Sequence, residues 1–166
     1  MATLYRIFTY GSLKRGQPNH ATLSNPANGL AKFIKTGKTV DKYPLIIATR
    51  FNIPFLLDVP GSGEQIVGEI YDVDEKMLKE CDELEGHPDY YLRQLIDVEV
   101  EGDVEPKIEK VLCYKLPKDR FPPHLLSFPT MSCYDSEGDH GRPLIHSSSN
   151  EEEANDPDLI VSFDKH

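Results

Sequence analysis

Turn-forming residues recur along this chain at intervals too short for a helical bundle. They fall at Asn28-Gly29, Thr36-Gly37, Lys42-Tyr43-Pro44, Asn52-Ile53-Pro54, Pro60-Gly61-Ser62-Gly63 and Glu101-Gly102-Asp103. Between them lie runs rich in β-branched and aromatic residues, which predict strands at about residues 32–40, 44–49, 54–58, 64–73, 91–100 and 109–116. A further strand is expected from Leu4 to Tyr10. Several alternate as a half-buried sheet does, with Leu95, Asp97 and Glu99 set against Ile96, Val98 and Val100. So many short strands and so few helices imply an α+β chain built on a mixed, strongly curved, barrel-like sheet.

One helix is expected. Asp74 is a suitable N-cap, Glu75 sits in the first turn, and Gly86 stops the helix after Glu85. Lys76, Lys79, Glu80 and Glu83 share one side, and Met77, Leu78, Cys81 and Leu84 share the other. Glu85 follows Leu78 by seven positions and Cys81 by four, so it belongs to the apolar side. A carboxylate pressed against apolar neighbours loses hydration, which raises its pKa toward the range useful for proton transfer. The alternatives for Glu85 are a frayed helix end that leaves it in water, and a structural ion pair with Arg93.

A chain of 166 residues suits a single domain. The polar, acidic stretch from residue 147 onward, with Glu151-Glu152-Glu153, Asp156 and Asp158, reads as an extension of a domain spanning residues 1–146. Leu159, Ile160, Val161 and Phe163 offer that extension a means of docking, so a docked and a free tail stand equal. A formal charge of −10 argues against a nucleic-acid partner, which requires a basic surface. The N-terminus shows no charged region followed by an apolar stretch, and no window is apolar enough to span a membrane. Three cysteines, Cys81, Cys113 and Cys133, suggest reduced thiols. A cytosolic monomer is therefore expected. The histidines lack metal-ligand spacing, and the glycine-rich segment lacks the lysine of a phosphate-binding loop, so neither metal nor cofactor is expected.

Immediately after the first strand stands Tyr10-Gly11-Ser12-Leu13-Lys14-Arg15-Gly16-Gln17-Pro18-Asn19-His20. Gly11 permits a sharp turn there, after which the amides of Gly11, Ser12 and Leu13 are placed to face an oxyanion. An ordinary turn is the alternative for Tyr-Gly-Ser alone. The whole string, however, resembles the signature of the γ-glutamylcyclotransferase-like superfamily, and within it the γ-glutamylamine cyclotransferase branch. The similarity continues through Tyr43-Pro44-Leu45, Asn52-Ile53-Pro54-Phe55, Gly68-Glu69-Ile70-Tyr71 and Tyr134-Asp135-Ser136-Glu137-Gly138.

The resemblance implies a fold, a reaction and a site. Asp82-Glu83-Leu84-Glu85 is similar to the family segment holding the catalytic glutamate and assigns that role to Glu85. It implies substrate binding by Tyr10, Gly11, Ser12, Leu13 and Tyr134, and release of 5-oxoproline from a γ-glutamylamine such as ε-(γ-glutamyl)lysine. Glutathione and γ-glutamyl amino acids are the alternative substrates, and a non-catalytic binding protein the alternative class. Tyr91 is a second candidate for the pocket wall, while Arg93 reads more readily as a structural partner of Asp82, Glu83 or Glu85 than as a ligand of the substrate. Cys81 reads as a core residue.

Overall fold

A computed structural model describes residues 3–103, 105, 107–146, 152–153 and 155–159. Strands β1 (Tyr5–Thr9), β2 (Ala31–Tyr43), β5 (Glu64–Val73), β6 (Leu92–Val100) and β7 (Ile108–Lys115) close into a barrel in the order β1-β5-β2-β6-β7. β1 closes it by pairing antiparallel with β5 and parallel with β7, where Ile7 faces Leu112. The long β2 serves two neighbours, and its register against β5 shifts twice, between Phe33 and Lys35 and between Lys38 and Lys42. Such irregularities bend a strand and increase its twist, which a closed sheet of few strands requires.

Closure depends on close backbone approach at Gly68. A Cβ there would stand 2.4 Å from the Thr9 carbonyl oxygen and 2.5 Å from the Phe8 ring. Strand alternation then divides the core in two. Phe8, Ile70, Val98, Val100, Val111 and Cys113 form one cluster, while Ile7, Tyr71 and Val73 face the other way and pack with Met77, Leu78 and Cys81 of the main helix.

A separate hairpin, β3 (Leu45–Ala48) and β4 (Ile53–Leu56), lies beside the barrel. It is stitched to β7 by the Asp58 amide on the Leu116 carbonyl at 3.0 Å and the Leu116 amide on the Leu56 carbonyl at 2.8 Å. Both hairpin strands are buried along their whole length, and they contribute to both clusters.

A short helix α1 (Ala21–Ser24) and three brief 3₁₀ turns were not expected from the pattern, because segments of three to five residues have no periodicity to read. The main helix α2 (Glu75–Glu85) has the expected bounds. The Asp74 side chain accepts from the Met77 amide at 2.9 Å. Gly86 adopts the left-handed conformation (φ 68°). The Gly86 amide donates to the Glu83 carbonyl and the His87 amide to the Asp82 carbonyl, a paired cap that satisfies the last turn. No helix among the described residues is long and apolar enough to cross a membrane.

The described part of the C-terminal extension is docked. The carboxylate of Asp156, which is 2% exposed, accepts from the Arg50 amide at 3.0 Å, and Asp158 accepts from the Thr49 amide at 2.7 Å. Leu159 joins the helix-side core, whereas Ile160, Val161 and Phe163 lie outside the described residues. Overpacking a tight contact costs about 1–3 kcal/mol. Gly68→Ala is accordingly expected to lower the unfolding free energy by about that amount in urea titration, with the slope of the transition unchanged.

Candidate active site

A cavity of about 310 Å³ opens where the loop after β1, the C-terminal end of α2, the start of β4 and the C-terminal segment meet. Its lining includes Tyr10, Gly11, Ser12, Leu13 and Glu85, so five of the six expected site residues come together. Tyr134 does not join them. Its side chain is fully buried in the barrel-side core, and its carbonyl oxygen instead accepts from the Lys14 ammonium at 2.6 Å.

The loop is an unusual piece of backbone. Among the described residues, none accepts a hydrogen bond from the amides of Gly11, Ser12 or Leu13. Unpaired amides bordering a cavity favour oxyanionic groups. Because the loop withholds these bonds, side chains must hold it. The Ser12 hydroxyl accepts from the Asn19 amide group at 2.9 Å, and the Ser12 carbonyl accepts from the Asn19 backbone amide at 2.8 Å. The His20 ring meets the Leu13 carbonyl at 2.9 Å.

Arg15 gives its backbone amide and its guanidinium to the two oxygens of Glu69, at 2.8 and 3.0 Å, while lying over the Phe33 ring. The Tyr71 hydroxyl donates to the same carboxylate at 2.9 Å. Burial alone would raise the Glu69 pKa, but these donors outweigh it and hold the carboxyl below its ordinary value. Gly11 opens the expected turn, closed by the Lys14 amide on the Gly11 carbonyl at 3.2 Å, without entering the left-handed region, and it also contributes space, since a Cβ would stand 3.0 Å from Pro54 Cγ.

Glu85 is the last residue of α2, where the Gly86 cap turns the chain aside and the helix dipole favours no anion. It keeps some accessible surface, yet protein surrounds its carboxyl. Burial first, and the charge of Glu153 second, raise its pKa from 4.5 to about 8. Tyrosines supply much of that environment. Tyr10 donates to the Tyr114 carbonyl at 2.7 Å, Tyr91 to the Pro54 carbonyl at 3.1 Å and Tyr114 to Asp82 at 2.6 Å. Each phenol is thereby satisfied, and burial raises each pKa, so these rings act as wall. The frayed-helix alternative for Glu85 does not hold. Nor does an ion pair with Arg93, whose guanidinium binds Asp82 at 2.5 Å.

No sequence pattern points to Tyr114 or Glu153 as lining residues, whereas Asn19 and Ile53 lie within the motif segments quoted above. Tyr114 reaches the cavity through sheet closure and Glu153 through docking of the extension, both long-range events. Glu83, assigned above to the charged side of α2, also lines the cavity, because the last turn lies at its mouth. Cys81 is fully buried in the core, as expected, and burial pushes its thiol up to about 12.

The closed mixed barrel has counterparts among known proteins. Residues 7–131 match the family model described as gamma-glutamyl cyclotransferase, AIG2-like. The chain is 50% identical over 143 residues to gamma-glutamylaminecyclotransferase C of Danio rerio, covering 85% of this chain and 93% of that one. It is 44% identical over 141 residues to the gamma-glutamylaminecyclotransferase of Homo sapiens, covering 81% and 92%. A crystal structure of an AIG2-like protein from Mus musculus superposes with a TM-score of 0.83 at 40% identity, covering 88% of this chain and 98% of that one. The chain belongs to the AIG2-like gamma-glutamyl cyclotransferase family.

The raised pKa of Glu85 has a stability consequence. A carboxyl whose folded pKa lies above its unfolded value stabilises the fold below the unfolded pKa, and that contribution disappears as pH rises through the folded one. Between pH 4.5 and about 8 the wild-type chain is therefore expected to lose stability relative to Glu85→Gln. Urea midpoints of both proteins across that window would reveal it as a gap that changes in favour of the variant.

Proposed function

We propose that this chain is a γ-glutamylamine cyclotransferase that uses Glu85 as its general base and acid. The observation carrying the proposal is that one cavity holds both a desolvated carboxyl with its pKa raised to about 8 and the unclaimed amides of Gly11, Ser12 and Leu13. A group poised near neutral pH suits proton transfer in both directions.

A γ-glutamyl compound contains its own nucleophile and electrophile. As the substrate's neutral α-amine attacks the γ-carbonyl carbon, ionised Glu85 takes the proton that the attacking nitrogen gives up. The carbonyl electrons move onto the γ-oxygen, where the loop amides stabilise the negative charge. As the oxyanion collapses, the bond from the γ-carbon to the leaving nitrogen breaks. Glu85 returns its proton to that nitrogen. The products are 5-oxoproline and a free amine, and no atom is left on the enzyme.

Holding the glutamyl chain folded supplies the proximity that makes ring closure fast. Tyr10, Tyr91 and Tyr114 exclude water from the reacting atoms. Lysine from ε-(γ-glutamyl)lysine is the amine that the reading favours. The proposal includes work as a cofactor-independent monomer in the cytoplasm without nucleic acid; a formal charge of −10 and three free cysteines support this part.

The test is release of 5-oxoproline from ε-(γ-glutamyl)lysine, with γ-glutamylalanine and glutathione in parallel. Glu85→Gln should reduce turnover on the lysine compound by about 10²–10⁴-fold, the usual worth of a positioned base. Activity that survives the substitution sinks this mechanism. In the wild type, kcat/KM should climb with pH as Glu85 loses its proton and level off above about 8. Glu85→Gln should lack that limb.

A further inference from the structure

No lysine or arginine is among the described residues that line the cavity, so negative charge arising on a substrate there has to be met by amides and hydroxyls. Five hydroxyl-bearing side chains line it, those of Thr9, Tyr10, Ser12, Tyr91 and Tyr114. Four of them spend their proton on the protein. Thr9 donates to the Glu69 carbonyl at 3.4 Å, Tyr10 to the Tyr114 carbonyl, Tyr91 to the Pro54 carbonyl and Tyr114 to Asp82. Nothing among the described residues accepts from the Ser12 hydroxyl.

Asn19 accounts for that difference. It closes back on residue 12 twice, through its backbone amide on the Ser12 carbonyl at 2.8 Å and through its side-chain nitrogen Nδ2 on Ser12 Oγ at 2.9 Å. Its own carbonyl accepts from the Thr22 amide of α1 at 3.0 Å, so its backbone is held on both sides. A serine hydroxyl has one proton and two lone pairs. An N–H that donates to Oγ fills one lone pair and cannot accept the proton, which is thereby kept for a partner outside the loop. Ser12 and Asn19 both line the cavity, so that partner is what enters it.

We propose that Asn19 is a positioning residue that keeps the Ser12 hydroxyl a donor, and that this hydroxyl joins the loop amides in binding the γ-oxygen of the substrate as it becomes negative. This rests on the cyclotransferase reading above and deepens it. The carboxamide matters at position 19 because its nitrogen end gives Ser12 a hydrogen. A carboxylate of the same shape presents oxygens alone, so it takes the Ser12 proton and turns it away from the cavity. The bond from the residue 19 backbone amide to the Ser12 carbonyl needs no side chain, so the course of the loop and the direction of the hydroxyl can be separated by substitution.

The experiment measures kcat and KM for 5-oxoproline release from ε-(γ-glutamyl)lysine at one fixed pH, using the full chain as wild type, Ser12→Ala, Asn19→Asp, Asn19→Ala and the double variant Ser12→Ala/Asn19→Asp. Ser12→Ala should lower kcat by about 10²-fold with KM little changed, the lower end of what one oxyanion donor is worth. Asn19→Asp should lower kcat to a similar extent, and Asn19→Ala, which brings no charge and leaves the hydroxyl free to rotate, should fall between that and the wild type. The double variant should be no slower than the slower of its two single variants, because without a hydroxyl there is no proton to misdirect. Losses that multiply in the double variant overturn the proposal, since the substitution at position 19 then acts through its charge or through the fold and not through Ser12. A wild-type kcat in any of the three single variants overturns it as well, as does a loss in Ser12→Ala that lies in KM alone. The cyclotransferase reading stands in all of these cases. Absence of 5-oxoproline with the wild type overturns both.

Discussion

An amide hydrogen that is kept out of the protein's own hydrogen bonding must be kept out by something rigid, and the loop after β1 shows how much that requires. The amides of residues 11–13 forgo bonds to the described residues, and the turn there is closed from outside them by the Lys14 amide on the Gly11 carbonyl at 3.2 Å. The seven residues that follow replace them. Lys14 runs inward to the Tyr134 carbonyl, Arg15 is fastened by two bonds to Glu69 on β5, Gln17 accepts from the Ser136 amide, and Asn19 and His20 reach back to Ser12 and Leu13. Most of these anchors are partly or fully buried, and the Arg15 pair is charge-assisted, so together they outweigh the entropy of ordering the loop. Glu69 also sits directly across the ladder from Thr9, so the clamp and the barrel seam are one structure.

The opposite wall solves a different problem, how to desolvate a carboxylate without leaving buried polar groups unsatisfied. Phenols serve because each has one hydroxyl, and three of them find partners in the Tyr114 carbonyl, the Pro54 carbonyl and Asp82. Asp82 in turn is neutralised by Arg93, which keeps its charge from adding to that of Glu85. The helix ends in a glycine cap, so its last residue turns inward while its backbone stays satisfied. The pKa of Glu85 is thus a product of the fold around it more than of any single contact.

What the sequence reveals follows from how local each feature is. The strands and α2 are written in short-range periodicity and capping residues, and their positions match expectation closely. The Ile96, Val98 and Val100 face is buried as the alternation predicts. Glu85 is legible because helical spacing alone sets it on the apolar face. Tyr134 is misplaced because a motif gives its nearness to the loop without its direction, and its backbone, not its ring, is the part used. Gly11 is read correctly as the start of a turn, whereas the space it leaves beside Pro54, 43 positions away, has no local signal. Tyr114 and Glu153 depend on barrel closure and on docking of the extension, for which no local pattern exists.

Because the cavity's outer wall, at Leu144, Ile145 and Glu153, belongs to a segment outside the hydrogen-bonded ladder, the molecule separates two kinds of change. Substitutions in the barrel disturb register, core and chemistry together. Those in the final segment can alter length, charge or shape of the wall while leaving the seam at Gly68 and the clamp at Glu69 untouched. In a chain assembled this way the outer wall of the cavity and the barrel can vary separately.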